Sequence, residues 1–140
     1  MRNMPTEPAP RVLEDFEGAW GITRHITHAD GTTAEFTGTA QWTHDPGGLI
    51  YREIGKLQMA QGPAFQAERQ YLWRPGLNVY FDDGRFFHKA PERGGDATHW
   101  CDPDTYHVTY DFSRWPDFTA TWKVSGPKKS YTMRSQYKRC

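Results

Sequence analysis

The sequence predicts an all-β fold, an antiparallel up-and-down barrel of about eight to ten strands with one short N-terminal helix. Three observations carry that prediction. Apolar and polar residues alternate with a period of two along most of the chain, which is the pattern of strands with one buried face. The alternating runs are short and are separated by tight turn signals at near-regular spacing, as in barrels and sandwiches. No helix-length periodic segment is present that could cross between parallel strands.

Each element follows from its own residues. Val12, Leu13 and Phe16 have helical spacing over little more than one turn and read as a short capping helix. From Trp20, Ile22, Arg24, Ile26 and His28 alternate with Gly21, Thr23, His25 and Thr27, which makes a strand. Asp30-Gly31 supplies a hairpin turn into a second strand over 32–43, with Ala34, Phe36, Gly38, Ala40 and Trp42 on one side. Turns at Asp45-Pro46-Gly47-Gly48, 60–63, Pro75-Gly76 and Asp83-Gly84 then separate strands over 49–59, 64–74, 77–81 and 85–89. On the last of these Phe86 and His88 share a face. A loop over 90–97 precedes strands over 98–101, 105–112, 118–124 and 130–138, giving ten candidates in all. Successive hairpins favour up-and-down order, and no helix-length periodic segment is present to build parallel crossovers.

The 140 residues suit one domain, divided into a flexible tail over 1–10 and a barrel over 11–140. The 17 basic and 17 acidic side chains cancel, which removes the basic face that a nucleic-acid binder needs. No run is long and apolar enough for a membrane-spanning helix, and no hydrophobic segment follows Met1 as in a secretory signal, so the expectation is a cytoplasmic protein without a membrane partner. Cys101 and Cys140 are not expected to form a structural disulfide, because the second is the terminal residue. Aromatic residues make up 15% and include six Trp, a composition suited to walls whose rings carry polar tips.

With the face of Trp20 taken as inward, Arg24, Glu53 and Arg69 also point inward among Tyr51, Tyr71 and other rings. A buried charge costs several kcal/mol unless it is paired, hydrated or met by a ligand. Two readings stay open. The three side chains form an internal ion-pair network, or the surplus positive charge meets an acidic group of a ligand. A one-residue slip would instead place Arg52, Lys56 and Glu68 inside and expose Tyr51, Phe65, Tyr71 and Trp73 together, which disfavours that register. His88, His99 and Cys101 are candidate zinc ligands, and His88, His99 or His107 could serve haem as an axial ligand. No cofactor is predicted. His88, His99, Asp104 and Tyr106 are candidates for proton transfer, although Asp102-Pro103-Asp104 also reads as a turn. No Gly-x-Ser-x-Gly elbow is present. Lys128 and Lys129 lie in the turn before Tyr131, where they could hold an anion or be solvated.

Gly18-x-Trp20 with Arg24, Tyr51-x-Glu53-x-Gly55, Arg69-x-Tyr71-x-Trp73, Asp83-Gly84-Arg85-x-Phe87-His88, His99-x-Cys101-x-x-Asp104-x-Tyr106 and Gly126-Pro127-Lys128-Lys129-x-Tyr131 together resemble a family of small calycin-type, lipocalin-like β-barrel proteins, a domain of unknown function. The resemblance runs from Phe16 to Arg139 and implies the barrel fold, with no activity attached. The Gly-x-Trp segment resembles lipocalins, which implies that Trp20 plugs one end of the barrel and leaves the other open, and implies for Arg134 or Arg139 the role of the final-strand Arg that accompanies that Trp.

The first functional expectation is a barrel that binds a small amphipathic, acidic ligand through Arg24, Glu53, Arg69, Tyr71, His88, His99, Cys101, Tyr106 and Tyr131. An isomerase, cyclase or hydrolase working by His, Tyr and Asp proton transfer is the second. The third is a closed barrel that engages a protein partner through Trp100, Trp115 or Tyr80. A homodimer is compatible with all three.

Overall fold

The computed structural model describes residues 9–140, so the greater part of the expected tail lies outside the described residues. A 3₁₀ turn, Leu13–Phe16, leads into ten strands: β1 (Gly18–His28), β2 (Thr33–Asp45), β3 (Gly48–Met59), β4 (Ala64–Arg74), β5 (Asn78–Phe81), β6 (Phe86–Lys89), β7 (Gly95–Cys101), β8 (Asp104–Arg114), β9 (Asp117–Ser125) and β10 (Ser130–Arg139). They form one antiparallel sheet in the order β6-β5-β4-β3-β2-β1-β10-β9-β8-β7. β1 pairs with β10 from Trp20 opposite Arg139 to His28 opposite Tyr131, which joins the two ends of the chain. The remaining seam lies between β6 and β7, which stand near each other at the two ends of the sheet. The molecule is a nearly closed, all-β, up-and-down barrel of the lipocalin-like kind.

The expected phase holds along the strands that matter most. Trp20, Ile22 and Arg24 on β1, Phe36, Ala40 and Trp42 on β2, and Leu49, Tyr51 and Glu53 on β3 are all buried. Arg52 and Glu68 lie outside and pair there at 3.3 Å. Three local readings change. The expected helix is a single 3₁₀ turn, started by the Asp15 carboxylate accepting the Val12 N–H at 2.9 Å. The loop expected over 90–97 is shorter, because Gly94 and Gly95 take positive φ and turn the chain early enough for Asp96 to pair with Thr109. Phe86 and His88 do not share a face. Val79 pairs with His88 and Tyr80 with Phe86, so Phe87 is the extra residue of a bulge. Phe86 turns outward while Phe87 and His88 both turn in.

The interior is layered. At one end Phe16 sits among the rings of Trp42, Trp73, Phe112, Trp115 and Phe118, at centroid distances of 5.1 to 5.9 Å. The Trp20 indole donates to the Phe16 carbonyl at 2.9 Å, and the Arg139 guanidinium lies over the Trp20 ring at 4.1 Å. Arg139 also donates to the carbonyls of Glu17 and Asp15, both at 2.6 Å, and so ties the last strand to the 3₁₀ turn. Arg139, whose guanidinium covers Trp20, therefore fills the role that the sequence left between it and Arg134. Trp115 belongs to this plug, stacking on Phe118 at 5.5 Å, and is not a free surface anchor.

Candidate functional site

Above the aromatic plug lies a belt of buried polar side chains. Arg24 reaches across β2 to Glu53, donating from Nη1 to Oε1 at 2.5 Å and from Nη2 to Oε2 at 2.9 Å. Its Nε donates to Ser135 Oγ at 2.7 Å. The reach is open because β2 and β3 carry Gly38 opposite Gly55 at this level, so no side chain stands there. The Tyr51 hydroxyl donates to Glu53 Oε2 and accepts in turn from Tyr137, 2.9 Å away. This is a two-pronged ion pair whose spare lone pairs are occupied, the arrangement that burial requires.

Electrostatics follow from that geometry. Burial works against ionisation of Glu53, but the Arg24 hydrogen bond and charge, with Tyr51 and Arg69, bring its pKa below the usual carboxylate value. Burial likewise opposes the Arg24 cation, and the Glu53 hydrogen bond and charge, with smaller contributions from Tyr137 and Tyr51, together more than offset it. Tyr137 is pushed up to about 12 by burial and then by the Glu53 charge. On the opposite wall His88 stacks on Tyr110, with Nε2 2.8 Å from the hydroxyl. Burial and then the neighbouring His99 lower the His88 pKa to about 3, so its imidazole is neutral at physiological pH.

Arg69 is placed differently. It is the cross-strand partner of Glu53, yet its Nε stops 3.8 Å from Glu53 Oε1, and its side chain is 36% exposed against 2% for Glu53. The guanidinium lies over the Trp122 ring at 5.7 Å. Around it, toward the open end, an aromatic roof is formed by Tyr71, Trp122, Phe87 and Tyr106, in mutual ring contact at 5.1 to 6.2 Å. Tyr131 is half-buried at the same end, beside His28. Burial raises its pKa, an effect opposed chiefly by the Arg69 charge. Lys129 reaches Asp104 at 3.3 Å on the rim.

The structure thus brings Arg24, Glu53, Arg69 and Tyr71 into one group and sets Tyr106 and Tyr131 at its mouth. His99 packs against Phe87 at 5.7 Å, half-buried near the seam, and burial and then Arg85 lower its pKa. Cys101 is a free, partly buried thiol paired in register with Asp104. His107 faces the outer wall, with Nδ1 3.2 Å from the Thr98 hydroxyl and Nε2 3.4 Å from the Asp96 carboxylate. Among the described residues no three His, Cys, Asp or Glu side chains are placed to share a metal ion. Trp100 and Tyr80 lie on the outside. Sequence reasoning missed Ser135, Tyr137, Tyr110, Trp122 and Trp42 as members of the site. The period-two phase of β10, in which Met133, Ser135 and Tyr137 alternate inward, held the signal for the first two.

The void at the centre of this group is small, about 30 Å³, and is bordered by the ion pair, Arg69, Trp42, His88 and the aromatic roof. That is room for one or two waters, well below the roughly 300 Å³ at which ordinary small-molecule sites begin. The expected lumen is therefore largely filled by the protein's own rings.

The family of unknown function DUF6314 matches residues 16–139. The chain belongs to that family. No curated protein matches the sequence. Among solved structures, it is similar to the S-type phycobiliprotein lyase CPES from Guillardia theta, with 11% identity, a TM-score of 0.60, and coverage of 91% of this chain and 90% of the other. It is also similar to a de novo designed fluorescence-activating β-barrel, with 15% identity, a TM-score of 0.45, and coverage of 91% and 96%. The likeness to the lyase agrees with the barrel fold, and function has to be argued from the site.

Proposed function

We propose that this protein is a small-molecule-binding barrel whose open end takes a compact amphipathic acid. The observation that carries the reading is the unequal state of the two inward arginines. Arg24 and Glu53 neutralise each other in a two-pronged pair, with Tyr51 on the remaining carboxylate face. The carboxylate has little left for Arg69, whose guanidinium stands at the mouth, part exposed and backed by Trp122. A cation held among rings at the entrance suits an oxyanion followed by an apolar or aromatic body. Tyr71, Tyr106 and Tyr131 offer hydroxyls and ring faces at the same end. Proton-transfer catalysis has less support, because an imidazole held neutral down to about pH 3, as His88 is, makes a weak base.

The test compares two fluorescent probes of similar shape, anionic 1-anilinonaphthalene-8-sulfonate and neutral N-phenyl-1-naphthylamine, on wild type and Arg69→Met. Loss of a charge-assisted contact should weaken the sulfonate about tenfold or more and change the neutral probe by less than about twofold. Equal affinities of the sulfonate for the two proteins would remove the assignment of Arg69.

A further inference from the structure

Among the described residues, two buried side-chain atoms in the barrel have no hydrogen-bond partner: Trp42 Nε1 and His88 Nδ1. Their residues are 1% and 3% exposed, and they come from different walls, β2 and β6. Both border the same central void of about 30 Å³. Buried N–H groups and ring nitrogens are rarely left unsatisfied, since each would forfeit its hydration with nothing in return. Two such atoms on residues that line one water-sized void therefore mark a place that something polar occupies.

We propose that this void is a second, deeper polar subsite, which holds a neutral oxygen between Trp42 Nε1 and His88 Nδ1: a water in the free protein, and a carbonyl or hydroxyl oxygen of the guest when one is bound. An indole N–H is a donor only, so the occupant must accept a hydrogen bond from Trp42. His88 Nε2 faces the Tyr110 hydroxyl at 2.8 Å. When Tyr110 donates to Nε2, Nδ1 carries the proton and a carbonyl oxygen accepts from both sides. When Nε2 donates to Tyr110, Nδ1 accepts, and a hydroxyl or water satisfies both. An ion fits less well. Of the three charged groups that border the void, Arg24 and Glu53 neutralise each other, and Arg69 is part exposed with its guanidinium over the Trp122 ring. The water half of this proposal depends only on the two orphaned atoms. The guest half rests on the binding reading given above.

The two halves are tested separately. A crystal structure of the ligand-free wild-type protein at a resolution that shows ordered waters should place one within hydrogen-bonding distance of both Trp42 Nε1 and His88 Nδ1. A dry void, or a water bound to neither atom, overturns the subsite. For the guest, titration with 4-acetylbenzoate and 4-isopropylbenzoate isolates a carbonyl oxygen on a constant carboxylate and ring. Wild type should prefer the acetyl compound by about three- to tenfold, the worth of a single hydrogen bond, and Trp42→Phe should lose that preference. Arg69→Met should weaken both compounds equally. A preference unchanged by Trp42→Phe, or absent from the wild type, overturns the guest half. Benzoates that bind wild type and Arg69→Met alike refute the Arg69 assignment instead, and the crystallographic water still decides the subsite.

Discussion

Glu53 is the residue on which the interior turns. It is 1% exposed and joins Arg24, Tyr51 and, more distantly, Arg69. A buried pair costs desolvation of both ions, so its net worth is modest, while removal of one partner leaves the other charge uncompensated. Glu53→Gln should therefore lower stability by about 3–5 kcal/mol, measured by urea denaturation. The double variant Arg24→Met, Glu53→Leu replaces the pair by hydrocarbon of similar volume and should recover most of that loss. A double variant no more stable than Glu53→Gln would mean that the pair is net stabilising in its own right. Neither outcome was legible in the sequence. The alternation showed that Arg24 and Glu53 point inward, but an ion pair between β1 and β3 spans an intervening strand, and only the folded register brings the two groups together.

At the scale of the element, Gly38 on β2 stands opposite Gly55 on β3. A Cβ at Gly38 would lie 2.1 Å from the Ile54 carbonyl oxygen, and one at Gly55 would lie 2.2 Å from that of Thr37. Both obstacles are backbone atoms, so neither can swing aside, and the wall itself would have to move. Gly38→Ala should destabilise the barrel by about 2 kcal/mol or more, and it should also lengthen the Arg24–Glu53 contact that passes over this spot. Thermal unfolding reads the first effect and a crystal structure the second. An alanine accepted with a melting temperature unchanged would show that the strands have slack here. The bulge in β6 acts on the same scale. By inserting Phe87 it aims His88 at the lumen and Phe86 at solvent. Period-two reading misses a bulge because alternation counts residues, and the bulge sets two residues against one.

For the molecule as a whole, two of the buried titrating groups, Glu53 and His88, contribute to the response to acid. Both Glu53 and His88 have folded pKa values below their ordinary ones. The unfolded chain therefore binds protons more readily, and the stability they contribute is present above the unfolded pKa and lost as pH falls toward the folded one. For His88 the window runs from 6.5 down to about 3. Within it stability should fall by about 1.4 kcal/mol per pH unit, and Glu53 adds to the fall below the ordinary carboxylate range. His88→Leu should flatten the stability profile between about pH 6.5 and 5, whatever it does to stability at neutral pH. A slope that is the same in wild type and variant would show that water reaches the His88 ring and the charged form is tolerated.

The sequence by itself determined the all-β class, the up-and-down order and the inward phase of Arg24, Glu53 and Arg69. These are properties of neighbouring residues: alternation follows from the geometry of a strand, and each hairpin from its own turn. The tertiary structure alone decided which arginine is spent on Glu53 and which stands at the mouth, how far the rings fill the lumen, and where Trp42 and His88 leave a void between them. Those outcomes depend on volumes and distances summed around a closed wall, and residues far apart in the chain set them together.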